Sequence, residues 1–292
     1  MRCFVRTQLN AIDPEGYASQ LQIIRIGATG KSTTALGRIS RYELLEEIAK
    51  GGMAVVYKGL ETETGTIVAI KKVATEGTQV DEAALRREID IYERLKQIPN
   101  QHILAVRDIF REGSTYALVT EFADGGSLWD LVGGSIADEE RVAQRKAPLD
   151  EATVRDIALA VLDALVALHD NDIVHRDIKP QNVLRCDDTW KVADFGISKL
   201  RNNPVTGFTF QGAHTVPWAP PEQIEGARAH PSADIYSFGR VISFLLTGSQ
   251  DKSSIQNVPD HWAQILGPCV DVVPEKRPNV DFVRSGIEQL SI

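Results

Sequence analysis

The chain has 292 residues, enough to bury a full core in one large domain or two lobes, and 43% apolar with 25% charged residues is the composition of a soluble globular protein. A formal net charge of −8 excludes a dedicated nucleic-acid binder, whose footprint would be basic. Cys3, Cys186 and Cys269 are odd in number and widely spaced, which rules out a disulfide framework or a paired-cysteine zinc site and points to a reducing compartment.

Residues 1–40 read as an N-terminal extension of open role, with five Lys/Arg against two acids and one candidate strand, Leu21 to Ile26. Gly27-Ala28-Thr29-Gly30-Lys31-Ser32 imitates a phosphate-binding loop, but Arg25 stands where that pattern requires its first glycine. No apolar run approaches the length of a membrane span and no signal-peptide block opens the chain, so a cytoplasmic location is expected. From Arg41 the pattern changes. Tyr42 to Ala49, Val55 to Leu60 and Thr66 to Val73 predict three strands separated by glycine turns at Gly51-Gly52 and Gly65. A helix is predicted over Asp81 to Ile98, ended by Pro99, and strands near Ala105 to Arg111 and Tyr116 to Phe122 complete a five-stranded sheet.

Past Asp124-Gly125-Gly126 the character turns helical. Asp150 caps a long apolar helix to about His169, and another runs from about Ser232 to Leu246, closed by Gly248. Gly133 to Pro148 reads as a polar surface loop. A small β-rich lobe, a hinge near Glu121 to Ala123 and a larger α-rich lobe would create a cleft, the usual place for a cofactor.

The chemistry concentrates in His175-Arg176-Asp177-Ile178-Lys179-Pro180-Gln181-Asn182, followed by Asp194-Phe195-Gly196. These spacings suit phosphoryl transfer from a metal-bound nucleotide, where a protein positions the hydroxyl and neutralises phosphate charge. Asp177 can accept the proton of an attacking hydroxyl, and Lys179 can contact the γ-phosphate. Asn182 and Asp194 are hard oxygen ligands suited to Mg²⁺. Glu88 lies within the apolar stripe of its predicted helix, where a carboxylate is costly unless paired. A Lys71–Glu88 ion pair would satisfy it. Of Lys71 and Lys72, one should be solvated, because strand side chains alternate.

The catalytic string and the aspartate triplet resemble those of eukaryotic-type (Hanks-type) serine/threonine protein kinases of the bacterial kind, and the resemblance spans residues from about 41 to the C-terminus. It implies an α+β, two-lobed fold, with an N-lobe over about 41–123 and a C-lobe over about 124–292. The implied reaction passes the γ-phosphate of ATP, with Mg²⁺, to Ser/Thr hydroxyls of proteins; no nucleic acid is implied, and the oligomeric state stays open. By resemblance, Ala49, Lys50, Gly51, Gly52, Met53 and Ala54 form the phosphate-covering loop. Ala49 and Ala54 depart from it, standing where glycines are usual. Lys71 becomes the phosphate ligand, Val56 and Ala69 pack on adenine, and Thr120 is a small gatekeeper. Glu121 and Ala123 offer main-chain bonds to adenine, and Leu184 closes the pocket below.

Further along, Thr215-Val216-Pro217-Trp218-Ala219-Pro220-Pro221-Glu222 resembles the end of an activation segment, a platform for peptide acceptors. Thr215 matches the threonine that bridges the catalytic aspartate and lysine. Glu222 would clamp to Arg277, and Asp234 would hold the catalytic loop. Arg176 beside Asp177 calls for an anion, which phosphorylated Thr206 or Thr209 could supply. After Gly248 the chain is short, so the next helix is expected to be missing or reduced.

Overall fold

The computed structural model describes residues 24–26, 32–50, 54–74, 82–132, 148–195, 217–225 and 230–292, and of 24–26, 32–34, 74, 82–85, 87 and 88 the backbone alone. Strands β1 (Ile24–Ile26) and β2 (Ser32–Thr34) pair antiparallel as a two-stranded ribbon. The main sheet runs through β3 (Gly37–Ile39), β4 (Tyr42–Lys50), β5 (Ala54–Glu61), β6 (Ile67–Ala74), β7 (Val106–Glu112) and β8 (Thr115–Glu121). Its order is β3-β4-β5-β6-β8-β7, and every neighbouring pair is antiparallel. Helix α1 (Glu82–Leu95) connects β6 to β7.

Period-two alternation builds this sheet. Tyr42, Leu44, Val68, Ile70, Ala117 and Val119 turn inward to one core, while Glu43, Ala69, Lys71 and their neighbours face away. Gly59 is required by packing: a Cβ there would lie 2.4 Å from Ile70 Cδ1 and 3.1 Å from the Glu43 carbonyl. Tyr42 stacks on Phe110 at 5.9 Å and donates to Asp108, and burial followed by the Asp108 charge pushes its hydroxyl up to about 12.

Among the described residues the sheet has six strands where five were expected. Gly37–Ile39 pairs with Leu44 to Tyr42, the Leu36 amide reaches the Leu44 carbonyl at 2.7 Å, and Ile39 is buried in the core. A lobe boundary at residue 41 therefore cuts through a hairpin whose turn uses Ser40 at φ 51°. The short strand escapes sequence reading because a single apolar residue, Ile39, carries its pattern.

Past the hinge, the second lobe contains α2 (Leu128–Leu131), α3 (Glu151–His169), the hairpin β9 (Val183–Cys186) and β10 (Thr189–Val192), then α4 (Pro221–Ile224), α5 (Pro231–Thr247), α6 (Asp260–Cys269) and α7 (Val280–Glu288). Asp150 caps α3 by accepting from the Thr153 amide at 2.9 Å, as expected. Helix α5 is capped by His230, and ends at Gly248 in the left-handed region at φ 72°. Buried faces of α3, α5, α6 and α7 meet in one core that includes Leu162, Phe238, Trp262 and Val283. The region after Gly248 is reduced as expected: a 3₁₀ turn, Lys252–Asn257, precedes α6. Among the described residues no helix is long and apolar enough to cross a membrane.

Candidate active site

Register decides which lysine enters the cleft. Val56 pairs with Lys71, Lys71 with Leu118, and Ala69 with Thr120, so Val56, Ala69, Lys71 and Thr120 share one face of the sheet, as does Ala49 opposite Val56. Lys72 points the other way, its ammonium 5.6 Å over the Tyr57 ring. Lys71 Nζ meets Asp194 Oδ1 at 2.6 Å, an ion pair bridging the two lobes. The expected partner Glu88 lies on α1, but its side chain falls outside the described residues, as do Gly51, Gly52, Met53, Thr206, Thr209, Thr215, residues 27–31 and 133–147. Lys50 is exposed at the end of β4, and Ala54 opens β5.

Asp194 reaches Lys71 because its backbone is left-handed, φ 62°, a conformation that costs a non-glycine residue roughly 1–2 kcal/mol. The flanking contacts hold it there. The Ala193 amide donates to the Asn182 carbonyl at 2.9 Å, and Phe195 is buried 4.9 Å from the His175 ring and edge-on to Tyr92 of α1 at 6.2 Å. The carboxylate thus turns to the cleft while the next side chain fills the core.

Asp177 is 5% exposed, and three groups organise it. Lys179 Nζ lies 2.9 Å from its Oδ2, and Asn182 Nδ2 donates to the same oxygen at 3.1 Å and to the Asp177 carbonyl at 2.9 Å. The Asp177 amide donates to His175 Nδ1 at 3.1 Å. His175 Nε2 donates in turn to the Ala193 carbonyl at 3.0 Å, so the ring is the neutral Nε2–H tautomer. Burial pushes its pKa down, against the upward pull of Asp234 and Asp177. One imidazole therefore links the loop carrying Asp177 to the strand end carrying Asp194.

Below them, Asp234 is fully buried and accepts the His175 amide at 2.8 Å, the Arg176 amide at 2.7 Å and His169 Nε2 at 2.9 Å. It holds the loop, as expected, and does not cap its own helix. Glu222 and Arg277 form the expected clamp, a bidentate pair at 2.6 and 2.8 Å. Burial would raise the Glu222 carboxyl, but the bonds from Arg277 and its own amide outweigh it and hold it below the usual range.

At the hinge the Glu121 amide is taken by the Ala105 carbonyl at 3.0 Å, and its own carbonyl accepts from Thr120 Oγ1 at 3.0 Å. Among the described residues Ala123 makes no main-chain hydrogen bond, which leaves it open to a ligand. Ala123 and Leu184 pack together around Leu104, Cys186 and Ala193, a shared apolar floor. Sequence reasoning missed one tie here. Glu121 Oε1 accepts from the Ala105 amide at 2.7 Å and from Lys191 Nζ, on β10, at 2.8 Å. Nothing local announces that pair, since 70 residues separate its members.

Metal-ligand chemistry fits Asn182 and Asp194. Both Asn182 donor bonds go to Asp177, which leaves Oδ1 as the amide atom able to serve a cation, and Asp194 keeps one oxygen beyond its bond to Lys71. Among the described residues no group of three or more His, Cys, Asp and Glu converges as a cage. One carboxylate with one amide suits Mg²⁺, which takes its remaining ligands from phosphates and water.

An antiparallel sheet facing a helical lobe, with a lysine, two aspartates and an asparagine between them, is the arrangement of the protein kinase class. The protein kinase domain description matches residues 42–282, and the chain belongs to that family. It is 30% identical over 246 residues to the probable serine/threonine-protein kinase PknB of Lactococcus lactis, covering 82% of this chain and 38% of that protein. A probable serine/threonine-protein kinase of Clostridium acetobutylicum is 34% identical over 212 residues, 72% of this chain and 30% of the relative. MAP3K epsilon protein kinase 1 of Arabidopsis thaliana is 32% identical over 249 residues, 84% of this chain and 17% of its own length. The chain thus spans well under half of these relatives.

Proposed function

We propose that the chain transfers the γ-phosphoryl group of ATP to serine and threonine hydroxyls of proteins. The observation that carries this reading is the Asp177 carboxylate, held by Lys179 and Asn182, together with the Lys71–Asp194 ion pair. The acceptor oxygen attacks the γ-phosphorus as the bond to the β-phosphate oxygen breaks, ADP leaves, and the hydroxyl proton passes to Asp177 and then to water. Lys179 offsets charge on the transferring group, and Lys71 would exchange its bond to Asp194 for nucleotide phosphate. Mg²⁺ bound with the nucleotide, through Asn182 and Asp194, would neutralise phosphate charge. Adenine would lie between Val56 and Ala69 above and Leu184 below, with main-chain bonds at Glu121 and Ala123. The similarity to probable serine/threonine-protein kinases supports serine and threonine as acceptors.

Purified protein incubated with labelled ATP and a generic protein acceptor tests the reading. The Asp177→Asn variant should lose about 10²–10⁴ of the transfer rate while keeping nucleotide binding, the share that general-base catalysis contributes. Equal rates in both proteins would reject it.

Control by the activation segment belongs to the same proposal. Arg176 Nε is buried and makes no hydrogen bond among the described residues, a donor suited to a phosphate. Phosphorylation at Thr209 or Thr206 would supply one. Mass spectrometry should find phosphate on one of them in active preparations; full activity with both unmodified contradicts the idea.

A further inference from the structure

Arg240 sits midway along α5 at 1% exposure, a guanidinium sealed inside the helical lobe. Among the described residues no carboxylate lies within ion-pair distance of it, and all its acceptors are main-chain carbonyls. Nε donates to Pro217 at 3.1 Å, Nη1 to Lys252 at 3.1 Å and Nη2 to Gln250 at 2.7 Å. Asp251 acts on this charge only from beyond ion-pair distance, so burial of the guanidinium is costly and is offset by the three carbonyl bonds. The charge must then be kept for what its fork holds in place.

It holds the start of the 217–222 segment. One turn further along α5, Phe244 packs edge-on against Trp218 at 5.3 Å and also stacks on Trp129 of α2 at 6.1 Å. Residues four apart share a helix face, so Arg240 grips the main chain of Pro217 while Phe244 seats the side chain of its neighbour. At its far end the segment is fixed independently by Glu222 and Arg277. Pro217 follows two residues after Thr215, which the family resemblance assigns to Asp177 and Lys179.

We propose that Arg240 is a positioning residue for the protein acceptor: it fixes the wall formed by residues 217–222, on which the acceptor peptide lies, and plays no part in holding the nucleotide. The inference rests on the kinase reading above. Its fork also ties that wall to the turn over Gln250 and Lys252, so the shortened stretch after α5 takes part in acceptor docking.

The full chain carrying Arg240→Met or Arg240→Lys would be compared with wild type for transfer to a generic protein acceptor, for ATP hydrolysis without acceptor, and for thermal midpoint. Arg240→Met should raise the acceptor KM about tenfold, the loss expected for a charge-assisted hydrogen bond, and Arg240→Lys by less. The ATP KM and the hydrolysis rate should stay near wild type, while the melting midpoint falls in the folded variants as three carbonyls lose their donor. Unchanged acceptor KM, an ATP KM rising in step, or failure of both variants to fold would overturn the proposal and assign Arg240 to the core. A wild type that transfers nothing, or that is indifferent to Asp177→Asn, would instead overturn the kinase reading.

Discussion

His175 ties the loop of Asp177 to the strand end before Asp194 through its two ring nitrogens. Its Nδ1 accepts the amide of Asp177 and its Nε2 donates to the carbonyl before Asp194, so both bonds demand the neutral ring. Burial lowers its folded pKa below the ordinary 6.5. The unfolded chain therefore takes up the proton first as pH falls. Stability from this residue is complete above about 6.5 and is lost as pH drops from there toward the folded value. Urea midpoints measured from pH 8 to pH 5 should fall through that window, and His175→Gln should flatten the slope. A wild-type profile as flat as the variant's would contradict the assignment.

At the scale of elements, the added strand β3 makes a prediction that the sequence did not suggest. Removing residues 1–35 leaves Gly37–Ile39 on the sheet, whereas removing residues 1–40 strips Ile39 from the core. The longer truncation should cost about 1.5–3 kcal/mol more, the value of one buried isoleucine, and differential denaturant unfolding would show it. Equal stability of the two truncations would mean that the strand is dispensable. The long elements were legible for two reasons: α3 and α5 carry apolar residues at helical spacing, and β4 to β6 are short runs set apart by glycine turns, with Val and Ile frequent in β5 and β6. Much of the candidate site was legible for a different reason, since Asp177, Lys179 and Asn182 lie within six residues and their spacing states their proximity. Contacts made across the fold were not. Nothing in the sequence singles out Arg240 or Lys191; only the fold places carbonyls around the first and Glu121 against the second. Alternation alone leaves Lys71 and Lys72 open; the family motif selects Lys71, and the strand register agrees, with Lys72 over the Tyr57 ring on the other face.

For the molecule as a whole, the two lobes are stitched at three levels. Lys71 meets Asp194 at the cleft, Glu121 meets Lys191 at the hinge, and behind it the His102 carbonyl and Leu104 amide pair with Val192. Two thiols sit in separate compartments of this assembly. Cys186 lies in the small apolar cluster beneath the hinge, and Cys269 in the main core between helices; burial pushes both up to about 12. Neither can react as a thiolate until its surroundings open. Each is thus a built-in clock for its own compartment, readable by pulsed alkylation and peptide mapping. ATP should slow modification of Cys186 more than that of Cys269, because the nucleotide would close the roof over the first and leave the second untouched.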